Sequence, residues 1–538
     1  MNRNPIEIFD TTLRDGTQGE GVTLSVKDKV RIAIRLDEFG MDFIEGGWPG
    51  SNPKDESFFK EIRKEKLHHS RICAFGSTAR FPDKVLSDAN LNLMLAAETS
   101  VVSIFGKAWK LHSELGLELD ASENETLIYE SIQYLKSEGR RVIFDAEHFF
   151  DGYKDDPEFA LQMVKAAGKA EADTIVLCDT NGGSLPSEIS DIVHVVKKKI
   201  SAPLGVHAHN DSELAVSNTI AAVEAGVSHV QGTINGVGER CGNANLISII
   251  PNMILKLGLK TVQKIDLTQL SSISHFVSEV MNFASDQRAA YVGRSAFAHK
   301  GGIHVSAVLK NSTMYEHIEP EIVGAQRRVL VSDLSGQSNI RYKASELDVR
   351  LNGDKTLTKK VVNRIKALEH AGYQFDGAEA SFELILQEEL GAFQPFFDVL
   401  DSRINVNYGE NGHKHADAML KVIVDGEVEH TIADGVGPVN ALNLALKKAL
   451  VRFYPEIKDV KLVDYKVRVL EERAGTESKV RVLAESSDGK ESWSTVGVSE
   501  NIIEASWQAL RDSFNYRLYI KKKKNAHSRK VKGLAKPY

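Results

Sequence analysis

Over the first ~260 residues, short apolar runs alternate with longer stretches whose apolar positions recur at helical spacing. The short runs, rich in β-branched side chains, predict strands over Ile6–Asp10, Phe43–Gly47, Ile72–Gly76, Val101–Phe105, Val142–Glu147, Thr174–Asp179, Gly205–His209 and Val230–Asn235. The stretches between them predict helices, among them Lys27–Phe39, Lys54–Lys66, Glu125–Glu138, Pro157–Ala170, Pro186–Lys199 and Glu213–Ala225. Gly40, Gly139 and Gly226 stand where a C-cap glycine closes a helix. Asn90–Thr99 reads equally as helix or strand. Eight strand–helix units in this length are the size and rhythm of a (β/α)8 TIM barrel, expected over residues 1–261. A doubly wound sheet is the competing architecture, but no G-x-G-x-x-G follows the first strand.

The rhythm then changes. Residues 262–392 carry helical patterns without strand alternation and predict a helical linker, which includes H-K-G-G-I-H (His299–His304). Residues 393–520 predict an α+β domain with an internal repeat. Asp425-Gly426 and Asp488-Gly489 each open a hairpin-like turn, and each is followed by an amphipathic helix, giving two ββα-like halves. Such a pseudo-symmetric module suits a small effector, though a purely structural domain fits the same pattern. Residues 521–538 read as a basic tail that frays in solvent.

Composition narrows the function. The chain has 538 residues, too many for one core, with 42% hydrophobic and 26% charged residues, as in a soluble globular protein. A net charge of −7 argues against nucleic acid as the main partner. No apolar run reaches the ~18 residues that would span a bilayer, and no signal peptide is visible. Three cysteines, Cys73, Cys178 and Cys241, suit a reducing cytoplasm and read as buried structural thiols.

The chemistry gathers at predicted strand ends, where a barrel places its functional groups. His207 and His209, two apart in L-G-V-H-A-H-N-D, share one face of a strand. Asp15 follows strand one in F-D-T-T-L-R-D-G-T-Q, and completes a two-histidine, one-carboxylate set for a divalent ion with open positions. Asn243 could add a neutral oxygen. Arg14 would stabilise an oxyanion beside such a metal. Glu45, Glu147, His148, Asp179, Thr180, Asn181, Asn235, Glu239 and Arg240 fall at the same rim. The bland readings are a turn or N-cap role for Asp15 and a surface ion pair for Arg14. Non-haem iron oxygenases use the same triad, but on a β-sandwich. An open divalent site beside an arginine suits a substrate with adjacent carboxylate and keto oxygens, and carbon–carbon bond formation or cleavage at a 2-oxo acid. The base that would make the carbanion is not singled out by the residues; His304 and Tyr315 are candidates.

The motifs D-T-T-L-R-D-G-T-Q, H-A-H-N-D, N-G-V-G-E-R-C-G-N (Asn235–Asn243) and H-K-G-G-I-H together resemble the 2-isopropylmalate, homocitrate and citramalate synthases. Gly46–Asp55 and Phe144–Tyr153 look most like the citramalate branch. The resemblance covers nearly the whole chain. It implies condensation of acetyl-CoA with a 2-oxo acid on a metal-dependent barrel, followed by thioester hydrolysis. It implies Asp15, His207 and His209 as metal ligands, with Asn243 near or on the metal, and Mg2+, Mn2+ or Zn2+ as the ion. It implies Arg14 as oxyanion stabiliser, Glu147 and Thr180 at the 2-oxo acid, and His304 with Tyr315 at the acetyl methyl. Those last two reach a neighbouring chain's barrel in the family, so a homodimer is implied. Ser306 stands where relatives often carry an acidic residue, so how His304 is oriented is open. The C-terminal domain resembles one that binds a branched-chain amino acid, isoleucine for the citramalate branch.

The expected activity is a cytoplasmic citramalate synthase that uses pyruvate and acetyl-CoA. The alternatives are a 2-isopropylmalate synthase with a larger acyl pocket, a metal-dependent aldolase or lyase, and a non-catalytic amino-acid sensor.

Overall fold

The computed structural model describes residues 4–347, 349, 351, 354–408, 414–470 and 478–534. The chain forms two compact units. One is Met1–Phe297 with Ile318–Gln326, and the other is Ala298–His317 with Arg327–Tyr538.

The first unit is a closed, all-parallel barrel of eight strands in sequence order. They are β1 (Glu7–Asp10), β2 (Phe43–Gly47), β3 (Arg71–Ser77), β4 (Val101–Lys107), β5 (Arg141–Glu147), β6 (Thr174–Asp179), β7 (Leu204–Ala208) and β8 (His229–Gly232). The ring closes where β1 pairs β8, from Glu7 opposite His229 to Asp10 opposite Gly232. Alternation along the strands sorts the side chains. One set, including Ile8, Ile44, Ala74 and Val102, packs outward against the helices. The other, Phe9, Phe43, Cys73, Val101, Ile143, Val176 and Cys178, forms a separate cluster that fills the barrel interior.

The helices start where capping side chains stand. Ser25 and Asp28 form a capping box before Val26–Phe39, and Asp120 with Glu123 does the same before Ala121–Ser137. Gly40 (φ 99°) and Gly226 (φ 107°) close their helices in the left-handed region. The ambiguous Asn90–Thr99 segment resolves as a helix, Ala89–Ala96, capped by the Asp88 side chain at Leu91 N–H. The barrel unit runs past residue 261 because the helix Leu270–Val280 is tied to it. Arg35 donates to Ser272 Oγ at 2.9 Å, and Asn235 Nδ2 donates to the Ser274 carbonyl at 2.8 Å.

In the second unit the linker is not wholly helical. Two-residue strands β9 (Ala298–His299) and β10 (Arg328–Val329) pair in parallel, because Glu316, buried, accepts from His299 and Arg327 and draws the two segments together. The helices Gln337–Glu346, Lys355–His370 and Glu379–Glu389 pack around Ile340, Ile365, Phe375 and Phe382.

The C-terminal repeat is βββα rather than ββα. The first copy is β11 (Asp398–Tyr408), β12 (Lys414–Val424), β13 (Glu427–Gly435) and the helix Pro438–Val451. The second is β14 (Lys461–Val469), β15 (Val480–Ser487), β16 (Ser492–Ser499) and the helix Ile502–Leu534. Each sheet is antiparallel in sequence order. Asp425 and Gly426 both have positive φ, as the two-residue hairpin turn requires. The expected basic tail is helical as far as Leu534, since lysine-rich sequence continues a helix readily; residues 535–538 lie outside the described ones. Among the described residues no helix is long and apolar enough to cross a membrane.

Candidate active site

Above the apolar plug, the barrel interior turns polar at the C-terminal ends of the strands. His207 on β7 and His209 just past its end share one face, as their spacing dictates, and Asp15 reaches them from the turn after β1. Asp15 Oδ2 lies 3.2 Å from His207 Nε2 and 3.8 Å from His209 Nε2. The two Nε2 atoms are 3.3 Å apart, so both cannot carry a proton there. All three side chains are buried, and their ligand atoms lie within 4.8 Å of one another.

Several observations fit this donor set to a divalent cation. His207 Nδ1 is 2.9 Å from Gln231 Oε1, and Gln231 Nε2 donates to Asp145 Oδ1 at 3.0 Å. The glutamine thereby accepts from Nδ1–H and turns Nε2 toward Asp15, the edge a cation would use. Asn243 sits across an isolated bridge from His209, and its Oδ1 is buried with no hydrogen-bond partner. Burial disfavours charge on Asp15, but Arg14, His207 and His209 outweigh it and hold the carboxyl well below the usual range. Burial, with His207 adding to it, pushes His209 down to about 3.

Arg14 is not a surface ion pair. Its Nε donates to Glu45 Oε2 at 2.6 Å, its Nη1 lies 3.4 Å from Asp15 Oδ2, and its guanidinium sits 3.8 Å above the Phe75 ring. Burial lifts Glu45 to about 7 against the pull of Arg14, with Asp145 adding to the rise. Arg14, Asp15, His207 and His209 open on one cavity of about 250 Å3, which Glu147, Thr180, Glu239 and Arg240 also line. Glu147 is ion-paired with Lys107, and the Thr180 hydroxyl accepts from His148 N–H at 2.9 Å.

Other rim residues serve the scaffold. Asp179 accepts from Ser184 and Asn218, and Asn235 is spent on the helix at Ser274 and Ser278. His148 pairs with Asp151, to which Asn181 also donates. His304 and Tyr315 belong to the second unit, where their rings stack with centroids 4.3 Å apart. Cys73 and Cys178 are buried, and burial pushes both thiols up, away from nucleophilic use. Cys241, expected to be buried, is exposed: it lies in the rim loop between Arg240 and Gly242, both at positive φ.

Asp145, Gln231 and Lys107 were not singled out from sequence. A polar residue at an inward position of a strand otherwise apolar is the signal that would have found the first two: Asp145 lies two before Glu147, and Gln231 interrupts β8.

The chain is similar to known proteins along its length. The family described as HMGL-like matches residues 5–277, that described as homocitrate synthase post-HMGL domain-like matches 291–372, and that described as LeuA allosteric (dimerisation) domain matches 376–518. The (R)-citramalate synthase of Geobacter sulfurreducens is 53% identical over 518 residues, 96% of this chain and 98% of its own. That of Aquifex aeolicus is 51% identical over 515 residues, 95% of this chain and 98% of its own. A 2-isopropylmalate synthase of Methanocaldococcus jannaschii is 33% identical over 513 residues, 95% of this chain and 94% of its own.

Proposed function

The chain belongs to the (R)-citramalate synthase family, and we propose that it joins acetyl-CoA to pyruvate and hydrolyses the thioester, releasing (R)-citramalate and CoA. The observation that carries this reading is that Arg14 and the Asp15–His207–His209 set open on the same small cavity.

Asp15, His207 and His209, with Asn243 beside them, would hold a divalent ion such as Mg2+ or Mn2+. Bound there, the ion supplies an electrophilic anchor for the adjacent carboxylate and keto oxygens of a 2-oxo acid. Glu147 and Thr180, which line the same cavity, orient the acceptor. Arg14, fixed by Glu45 and Phe75, meets the negative charge that develops on the keto oxygen as the new bond forms, and it needs no reorganisation to do so. His304 takes a proton from the acetyl methyl, with Tyr315 stacked against it. In this reading the pair serves the barrel of a second copy, so the active unit is a homodimer. Water then cleaves the thioester, which makes the sequence irreversible. The βββα repeats are the seat of feedback by isoleucine, and the enzyme works in the cytoplasm on the way to that amino acid.

The test is CoA release from acetyl-CoA with Mg2+ or Mn2+ and a panel of 2-oxo acids. Release with pyruvate far above 2-oxoisovalerate is expected, and isoleucine is expected to suppress it. The reverse acceptor preference would move the protein to leucine synthesis, and no release would remove the condensing reaction.

A further inference from the structure

Trp48 and Asn90 have no part in the chemistry above, yet Trp48 lines the cavity. We infer that the Trp48 indole, pinned by Asn90, is the wall that limits the size of the acceptor's acyl group. The inference rests on the pyruvate reading and deepens it.

The cavity has one apolar side. Trp48 meets Phe75 and Phe105 edge-on, with centroids 5.7 Å away in each case and interplanar angles of 86° and 82°. Phe75 and Phe105 stack on each other at 5.5 Å. Apart from Cys178, the other lining residues are polar or charged, among them Asp145, Glu147, Thr180, Asp15 and the two histidines. An alkyl group on an acceptor held at Arg14 therefore finds its aromatic contact against this triad, whose Phe75 already carries the Arg14 guanidinium.

Within the triad, Trp48 is tethered at both ends. Its backbone N–H donates to Asp55 Oδ2 at 2.9 Å, and its indole N–H donates to Asn90 Oδ1 at 2.7 Å. The first tether is deep-set. Asp55 is paired with the buried Lys29 at 2.5 Å, and Gly47 (φ 142°) lies so close that a Cβ there would fall 2.4 Å from the Asp55 carboxyl carbon. The second tether is fixed in turn, because Asn90 Nδ2 donates to the Ser77 carbonyl at 2.8 Å. A side chain held this way cannot rotate aside to admit a larger substituent. Asn90 is not among the residues that line the cavity, so it is a positioning residue; Trp48 sets specificity.

The wild type is assayed first for CoA release with pyruvate, 2-oxobutyrate and 2-oxoisovalerate, then Trp48→Ala, Trp48→Phe and Asn90→Ala. Trp48→Ala is expected to raise the kcat/KM ratio of 2-oxobutyrate to pyruvate about tenfold or more, the worth of one added methylene in a shaped pocket. Asn90→Ala is expected to move the same ratio in the same direction, by about threefold. Thermal melts show whether each variant folds; if Trp48→Ala does not, Trp48→Phe and Asn90→Ala decide. Equal losses on all acceptors, with ratios unmoved, would make the indole a structural element and overturn the inference while the pyruvate reading stands. A wild type that prefers a branched acceptor, or turns over none, ends that reading and the wall with it.

Discussion

Arg14 and Glu45 form a buried ion pair, 2.6 Å from Nε to Oε2, between the first and second strands of the barrel mouth. The carboxylate leaves one oxygen, Oε1, without a hydrogen-bond partner. Burial makes that charge costly, the Arg14 guanidinium offsets the cost, and the pair fixes the guanidinium beside Asp15. Glu45→Gln keeps the volume and an acceptor for Arg14 Nε but removes the charge. A loss of about 10- to 100-fold in kcat/KM is expected, from steady-state CoA release, with the acetyl-CoA KM changed little.

Gln231 fixes the ring of His207, a candidate cation ligand. Gln231→Leu removes the acceptor for His207 Nδ1–H and frees the ring to take the wrong tautomer. The expected result is a 10- to 100-fold weaker Mn2+ affinity by calorimetric titration. His207→Ala removes a ligand outright and is expected to lose both Mn2+ binding and turnover; wild-type turnover in that variant would sink the cation assignment.

Lys29 is almost wholly buried and paired with Asp55. Lys29→Met keeps much of the packing but leaves the carboxylate uncompensated. Breaking a buried pair on one side costs about 3–5 kcal/mol, to be read from urea denaturation. Since Asp55 also holds the Trp48 N–H, acceptor preference is expected to loosen in the same variant.

Asp10 supplies a pH signature of the fold. Burial, against the opposing hydrogen bonds of Thr12, lifts its carboxyl to about 7. The folded chain therefore holds a proton between about pH 4 and pH 7 that the unfolded chain has released. Stability from this group is present below that window and falls as pH rises through it. Asp10→Asn abolishes the fall, so the Tm of the variant relative to wild type is expected to climb from pH 4 to pH 8. A constant difference would place the proton elsewhere.

Much of this was legible in the sequence. The eight barrel strands read clearly because each is a short buried apolar run, and His207 with His209 could be placed on one face by spacing alone. Polar residues inside such runs were harder: Gln231 and Asp145 occupy inward positions that only the barrel's curvature brings to the histidines. Glu147 and Asp179 look alike at strand ends, yet one faces the cavity and the other is consumed by Ser184 and Asn218. The first strand of each C-terminal repeat was missed because it is mostly exposed and shows no clear apolar alternation. Its polar, largely exposed sequence, with Asp398, Asp401 and Arg403 in one and Lys461, Asp464 and Lys466 in the other, reads as loop.

The order of strands around the ring has one more consequence. Asp15 follows β1, the histidines lie at the end of β7, and β8, which carries Gln231, runs between them and pairs with both neighbours. The donor atoms come from opposite ends of the barrel sequence and meet only across the seam where the sheet shuts. A fragment that ends before the seventh strand, or begins after the first, has no cation site to offer. Were a divalent ion to bind there, its affinity would report ring closure, and by favouring the closed state alone it would act as a latch on the barrel.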